Sequence, residues 1–144
     1  MPRLTGELQR LTRCMRQYKG KLLKPYGIGS RSAQLLHYIH LIPDCSQETL
    51  AERLILDKST IARRLASLEE RGFLERSPNP ADRRGQIIRL TPKGEELLPV
   101  IREVNEKWYA FLTEGQSQED LDRMEKTLSA MLNRAEEYLK EDEA

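Results

Sequence analysis

The sequence predicts a mainly α-helical fold carrying one small antiparallel β-hairpin. Three observations lead there. Apolar residues recur every three or four positions over three long segments. Two short helical segments in the middle are separated by only two or three residues. A single pair of strand-like runs, Phe73–Ser77 and Gln86–Thr91, flanks a tip rich in Pro, Asp and Arg.

The first helix is expected over residues 1–24. Leu4, Leu8, Leu11, Met15, Tyr18 and Leu22 form an apolar stripe, and Pro25 with Gly27 and Gly29 ends it. Ser30 is expected to cap a second helix through Leu35, Leu36, Ile39 and His40, stopped by Pro43. Ser46 then caps Gln47–Ile55, and Asp57 caps Lys58–Arg71, whose buried side is Ile61, Leu65 and Leu68. Gly72 supplies the left-handed residue that closes it. A short helix, a tight turn and a second helix make a helix-turn-helix.

The two strand-like runs follow, joined by Pro78–Gly85, which is long for a hairpin loop and so is expected to project from the body. Thr91, with Pro92 at the first helical position, starts a long helix through Leu97, Ile101, Val104, Trp108 and Phe111. Gly115 interrupts it. Ser117 with Asp120 resembles a capping box for a last helix through Leu121, Met124, Leu128, Met131, Ala135 and Tyr138. The tail Lys140–Ala144 is expected to fray.

The terminal helices, 1–24 and 92–139, carry stripes that a small domain does not easily cover. An intramolecular bundle would satisfy them. The expected arrangement is a homodimer with N- and C-terminal helices intertwined between subunits, because an α-helical reader of DNA gains from twofold symmetry.

Composition narrows function. With 144 residues the chain is long enough for one domain with a real core. It has no apolar run long enough for a membrane helix and begins MPRLTGELQR, without the apolar stretch of a signal peptide, so a cytoplasmic location and no membrane partner are expected. The formal charge of +1 is unevenly spread. Residues 1–24 carry seven basic side chains against one acidic, and residues 57–94 carry nine against five. Residues 95–144 carry six against fourteen. A polyanion facing the basic part would account for this, as would a solvated helix face.

Against an enzyme, there is no Gly-rich phosphate loop, no nucleophile with a placed base and no metal triad. No cofactor is expected. His37, His40 and Cys45 lie near one another in sequence but lack a further ligand at suitable spacing, so no metal site is expected. Cys14 and Cys45 have neither disulfide nor zinc spacing.

The chemistry concentrates in residues 58–91. The helix expected over 58–71 displays Lys58, Ser59, Thr60, Arg63, Arg64 and Ser67 opposite its apolar side. Arginine can pair with guanine O6 and N7, and hydroxyls can reach bases or phosphates. On the tip, an arginine can enter the electronegative minor groove. Asp82, two residues before Arg84, is placed to hold the Arg84 guanidinium beforehand, although a plain surface ion pair would look the same.

With these residues, LAERLILDKSTIARRLASLEERGFLERSPNPADRRGQIIRLTPKGEEL resembles the MarR family of transcription regulators. The matching features are the Asp-x-Arg tip, the exit Leu90–Gly94 and the helix end Leu65–Gly72, and the likeness extends over essentially the whole chain. It implies a winged helix-turn-helix domain over 30–91, with a recognition helix at about 58–71 and a wing at about 73–91. It also implies a homodimer that binds a double-stranded, pseudo-palindromic DNA operator, most often as a repressor. By the same resemblance Ser59, Thr60 and Arg63 contact bases and backbone, Arg84 enters the minor groove, Asp82 braces it and Arg83 meets phosphate. Ser46 is either a phosphate donor or simply a helix cap.

The family further implies a small lipophilic or phenolic effector. Tyr18, Leu22, His37, Tyr38 and Trp108 are the residues that would line its cleft, or they are core. Two rival readings remain. One is a cysteine redox sensor on the same fold, although Cys14 stands several residues later than the reactive cysteine of peroxide-sensing members. The other is a winged helix used for protein contacts, which would have no need of Arg84.

Overall fold

The computed structural model describes residues 2–142; Glu143 and Ala144, at the end of the expected frayed tail, lie outside them. Helices α1 (Pro2–Leu23), α2 (Ser30–Leu41), α3 (Gln47–Leu54) and α4 (Lys58–Glu70) precede a hairpin of β1 (Leu74–Asn79) and β2 (Asp82–Leu90). Helices α5 (Pro92–Glu95), α6 (Leu98–Thr113) and α7 (Gln118–Asp142) follow. The chain divides into two compact units, one through Trp108 and one from Tyr109.

In the first unit the core gathers where α2, α3, α4 and the hairpin meet. Leu36, Leu50, Ile61 and Leu65 are fully buried there, with Leu35, Leu68, Leu74 and Ile88 around them. Ile61, Leu65 and Leu68 share one face of α4, so their burial leaves the opposite face of that helix outward.

Local hydrogen bonds fix most boundaries. Ser46 Oγ accepts from Thr49 N–H and Asp57 Oδ1 from Thr60 N–H, capping α3 and α4. Gly72, at φ +79°, ends α4 as expected. Gly72 N–H donates to Glu69 C=O and Phe73 N–H to Leu68 C=O, the paired bonds of a Schellman motif, with Phe73 and Leu68 both buried. Ser117 Oγ accepts from Asp120 N–H and donates to its carboxylate, so that cap is also as expected.

Other boundaries differ. Gly29, not Ser30, is the N-cap of α2. Its extended backbone lets its carbonyl accept from Ala33 N–H, while Ser30 is already helical. The third helix stops at Leu54 because Ile55 adopts the left-handed conformation, φ +52°. Leu56 N–H donates to Ala51 C=O and Ile55 N–H to Glu52 C=O, closing the same motif as at Gly72 but on a β-branched residue. The helix expected from Pro92 through Phe111 is two helices. Pro99 has no N–H to donate to Glu95, so the ladder breaks there and restarts at Leu98.

The hairpin is longer than expected and its loop shorter. Leu74 pairs with Leu90, Arg76 with Ile88 and Pro78 with Gln86, and then Asn79 pairs with Asp82. Most of the expected loop is therefore strand, and Arg83–Gly85 form a bulge on β2 opposite the Pro78–Asn79 step. Phe73, expected in the first strand, instead completes the end of α4. Ile88 N–H donates to the carbonyl of Cys45, so the segment before α3 covers that edge of the hairpin at one point.

The exit run Leu90–Gly94 ties the hairpin base to the end of α4. Thr91 caps α5 by accepting from Gly94 N–H, and its hydroxyl donates to Gly72 C=O at 2.6 Å. Thr91 N–H donates to Phe73 C=O. Lys93 Nζ donates to Arg71 C=O at 2.7 Å, placing a cation at the carbonyl end of α4. Arg71 and Lys93 both lie over the Phe73 ring, at 5.0 and 4.6 Å from its centroid. Gly94 is required here because a Cβ would collide with the Phe73 carbonyl oxygen.

None of the α1 stripe is fully buried: Leu8, Met15, Tyr18 and Leu22 are half-buried and Leu4 and Leu11 exposed, while Leu23, next to the stripe, joins the core. In the second unit Met124, Leu128, Met131 and Tyr138 of the α7 stripe are exposed, with Leu132 and Leu139 beside them.

Candidate nucleic-acid interface

Three surfaces of the first unit carry the expected functional residues: the outer face of α4, the wing hairpin and the start of α3. On α4, Lys58, Ser59, Arg63 and Ser67 are exposed. Ser59, Arg63 and Ser67 are four residues apart, one above the other on the helix. Neither Lys58 nor Arg63 forms an ion pair among the described residues.

The first turn is organised by Asp57. Its Oδ1 accepts from Ser59 Oγ at 2.6 Å and from Thr60 N–H at 2.8 Å, and its Oδ2 accepts from Thr60 Oγ1 at 2.7 Å. These bonds, Ser59 first, hold the carboxyl well below the usual carboxylate range, so it is ionised at neutral pH. With their protons committed to Asp57, the two hydroxyls present lone pairs outward. In that state they suit a donor, such as the exocyclic amine of adenine or cytosine, better than a phosphate oxygen.

Arg64 stands apart from this arc. It is half-buried, and burial followed by the charges of Arg31, Arg16 and Arg63 pushes its pKa down. It belongs to a basic cluster with α1 and α2.

On the wing, Asn79 Oδ1 accepts from Ala81 N–H and turns the tip. Asp82 Oδ1 accepts from the backbone N–H of Arg84 at 3.0 Å. The expectation that Asp82 holds the Arg84 guanidinium is therefore corrected. In the bulge the nearest donor two residues on is an unpaired backbone amide, and the carboxylate folds back over it. Its other oxygen leaves only ordinary contact room, 3.4 Å, for a Cβ at Gly85. The brace shapes the backbone, and the Arg83 and Arg84 guanidinium groups form no ion pair among the described residues.

Between the wing and the start of α3 lies a polar cleft of about 340 Å³, lined by Gln47, Glu48, Arg76, Arg83, Arg84 and Gln86 among others. Ser46 sits at that helix start, where its hydroxyl is engaged with both Thr49 N–H and Thr49 Oγ1. Arg76, Glu69 and Gln47 form a network that sequence reading missed: Arg76 Nε donates to Glu69 Oε2 at 2.6 Å and Nη1 to Gln47 Oε1 at 3.3 Å. No local spacing relates Gln47 to Arg76, so no sequence signal marks it.

The expected effector residues are only partly brought together. The rings of Tyr18 and Trp108 lie 5.1 Å apart and tilted. His37 and Tyr38 meet edge to face at 6.0 Å. Leu22 and Tyr38 pack against the core. The polar cleft beside the wing contains none of them. Burial, then the charges of His40, Lys19 and Arg102, lower the His37 pKa. Sequence reading did not single out Lys19 or Arg102, each next to a stripe residue. Among the described residues no cluster could hold a metal ion, and no helix is long and apolar enough to cross a membrane.

Residues 26–85 match the model of the MarR family. A crystal structure of MarR is 33% identical in sequence, with coverage of 92% of this chain and 96% of that one and a TM-score of 0.76. A MarR transcriptional regulator from Methanosarcina mazei Go1 is 27% identical over 94% of this chain and 97% of its own, with a TM-score of 0.85. A cysteine-to-serine variant of MarR from E. coli, solved in complex with operator DNA, shares the fold at 23% identity and a TM-score of 0.82, covering 90% of this chain and 93% of that chain. With the helix-turn-helix, the two-stranded wing and a match above 30% identity over 92% of the chain in place, the chain belongs to the MarR family of transcriptional regulators.

Proposed function

We propose that this protein is a cytoplasmic homodimeric repressor that binds a pseudo-palindromic DNA operator. Helix α4 enters the major groove through Ser59, Thr60, Arg63 and Ser67, with Lys58 and Arg64 contributing positive charge. The wing places Arg84 in the adjacent minor groove, Arg83 meets phosphate, and Asp82 holds the bulge that carries both. Ser46 reaches a phosphate from the start of α3. The observation that carries the reading is that, among the described residues, neither Arg84 on the hairpin nor Arg63 on the α4 face forms an ion pair. The operator complex of E. coli MarR supports it by likeness of fold.

For the dimer, the support is apolar surface that a monomer would leave in water. Leu4 and Leu11 on α1, Tyr109, Phe111 and Leu112 on α6, and Met124, Leu128, Met131 and Tyr138 on α7 are all exposed. A small lipophilic or phenolic effector lowers operator affinity by binding near Tyr18, Leu22, His37, Tyr38 and Trp108. The redox alternative is disfavoured for Cys45, which is buried and whose thiol pKa burial pushes up to about 11.

Fluorescence anisotropy on an operator duplex tests the reading. Affinity should fall steeply with salt. Arg84→Ala should cost roughly ten- to a hundredfold, about 1–3 kcal/mol, with fold and dimer intact. Unchanged affinity would sink the wing assignment. A stable monomer at micromolar concentration in sedimentation would sink the dimer.

A further inference from the structure

The wing is fastened to the helices at its base and at one level above it. At the base lie the bonds of Thr91 to Gly72 and Phe73 and of Lys93 to Arg71. The exposed pair Arg89–Asp44, at 3.5 Å, adds a loose contact. One pair further out, Arg76 on β1 stands opposite Ile88 on β2. On the β2 side Ile88 N–H donates to Cys45 C=O. On the β1 side Arg76 holds Glu69 of α4 and Gln47 of α3. Beyond this level, from Ser77 to Ile87, no hydrogen bond to a helix occurs among the described residues.

Arg76 is unlike the other wing arginines. Its side chain is only 21% exposed and its charge is matched by Glu69 at 2.6 Å. Two of its five N–H donors are committed to side chains of α3 and α4. We propose that Arg76 is a positioning residue that fixes the angle of the wing against the recognition helix, and so the path of Arg84, with Glu69 as its indispensable partner. The inference rests on the DNA-binding reading given above.

From the Arg76–Ile88 level to the Asn79–Asp82 pair is three residues, about 10 Å of strand. A tilt of about 10° at that level moves the tip by about 2 Å. A charge-assisted hydrogen bond between Arg84 and DNA tolerates only a fraction of that displacement.

Glu69→Gln separates this role from a direct phosphate contact by sign. The side chain is half-exposed and its backbone bonds do not depend on the carboxylate, so the fold should survive. If Arg76 met phosphate directly, removing the neighbouring negative charge would strengthen DNA binding. If Arg76 is a tether, Glu69→Gln weakens binding roughly five- to tenfold despite the lost negative charge.

The experiment uses the full chain and a labelled duplex that the wild type selects from random-sequence DNA. Affinities are measured for wild type, Glu69→Gln, Arg76→Met and Arg84→Ala, and for the first two substitutions on the Arg84→Ala background. Amide hydrogen exchange over residues 79–86 is measured in the free protein. Weaker binding that vanishes on the Arg84→Ala background, together with faster exchange at the tip in both variants, is the expected result. Equal or tighter binding by Glu69→Gln, a loss that persists undiminished on the Arg84→Ala background, or unchanged exchange would each overturn the proposal. Failure of the wild type to select any duplex would overturn the DNA-binding reading instead, and the exchange measurement would still decide the tether.

Discussion

Replacing Gly94 with alanine tests how the wing is joined to the rest of the chain. A Cβ at this position would fall closer than 3.0 Å to the Phe73 carbonyl oxygen, 3.2 Å from its carbon and 3.4 Å from Leu90 Cβ. An ordinary C···O contact needs about 3.3 Å, so α5 and the Phe73 carbonyl must part by on the order of 1 Å. The obstacle is backbone and has no rotamer to change. Parting the two elements strains the bonds from Thr91 Oγ1 to Gly72 C=O at 2.6 Å and from Thr91 N–H to Phe73 C=O at 3.1 Å. It also lifts Lys93 from the Phe73 ring. Overpacking costs about 1–3 kcal/mol, and two weakened hydrogen bonds add about 0.5–1.5 kcal/mol each. Alanine returns at most about 1 kcal/mol of helix propensity. The net expectation is a loss of about 3 kcal/mol, read as a lowered urea midpoint by circular dichroism at fixed protein concentration. Gly20→Ala, in α1 with nothing near its Cβ position, is the control and should be neutral or slightly stabilising. A Gly94→Ala midpoint equal to wild type would refute the close approach.

Ile55→Gly should raise stability by about 0.5–1 kcal/mol in the same assay. It relieves about 1–2 kcal/mol of left-handed strain against glycine's chain entropy, and the half-exposed side chain has little burial to lose; a lowered midpoint would count against that strain. Because hydrogen bonds depress the Asp57 pKa in the folded state, its contribution is complete above the ordinary carboxyl value of 3.8 and is lost as pH falls below it. The stability gap between wild type and Asp57→Asn should therefore narrow on acidification below that value, and a gap that widens would contradict the assignment. Asp82→Asn keeps an acceptor for the Arg84 N–H and should bind the operator at least as well as wild type, whereas Asp82→Ala should weaken it. Equal losses in both variants would restore the ion-pair reading of that brace.

What the sequence disclosed depended on how far apart in the chain the interacting groups lie. The caps at Ser46, Asp57 and Ser117 and the glycine end at Gly72 close over three to six residues, so residue identity and spacing were enough. The outer face of α4 was legible through the period of Ile61, Leu65 and Leu68. At Gly29 the backbone supplied the cap that residue type alone assigns to Ser30 next door. The apolar run through Phe111 hid the break at Pro99, because a stripe can continue in phase across an interruption of the hydrogen-bond ladder. In the wing, the spacing of two linked Asp82 to Arg84, but spacing alone does not say whether a carboxylate takes a backbone amide or a side chain. The Arg76 network joins residues 7 and 29 positions apart on three elements, and only the assembled fold brings them together.

The same geometry explains why a hairpin with so few bonds to the body can still present an arginine in a defined place. Its base has no slack, since Gly94 already touches the Phe73 carbonyl and Thr91 bonds on both sides of that contact. Its tip is shaped from within, by Asn79 on Ala81 and Asp82 on Arg84, using acceptors that cost the guanidinium groups nothing. Had Asp82 paired with the Arg84 side chain, binding DNA would first have required breaking that pair. By spending the carboxylate on the backbone, the wing fixes the direction of Arg84 and leaves its charge available.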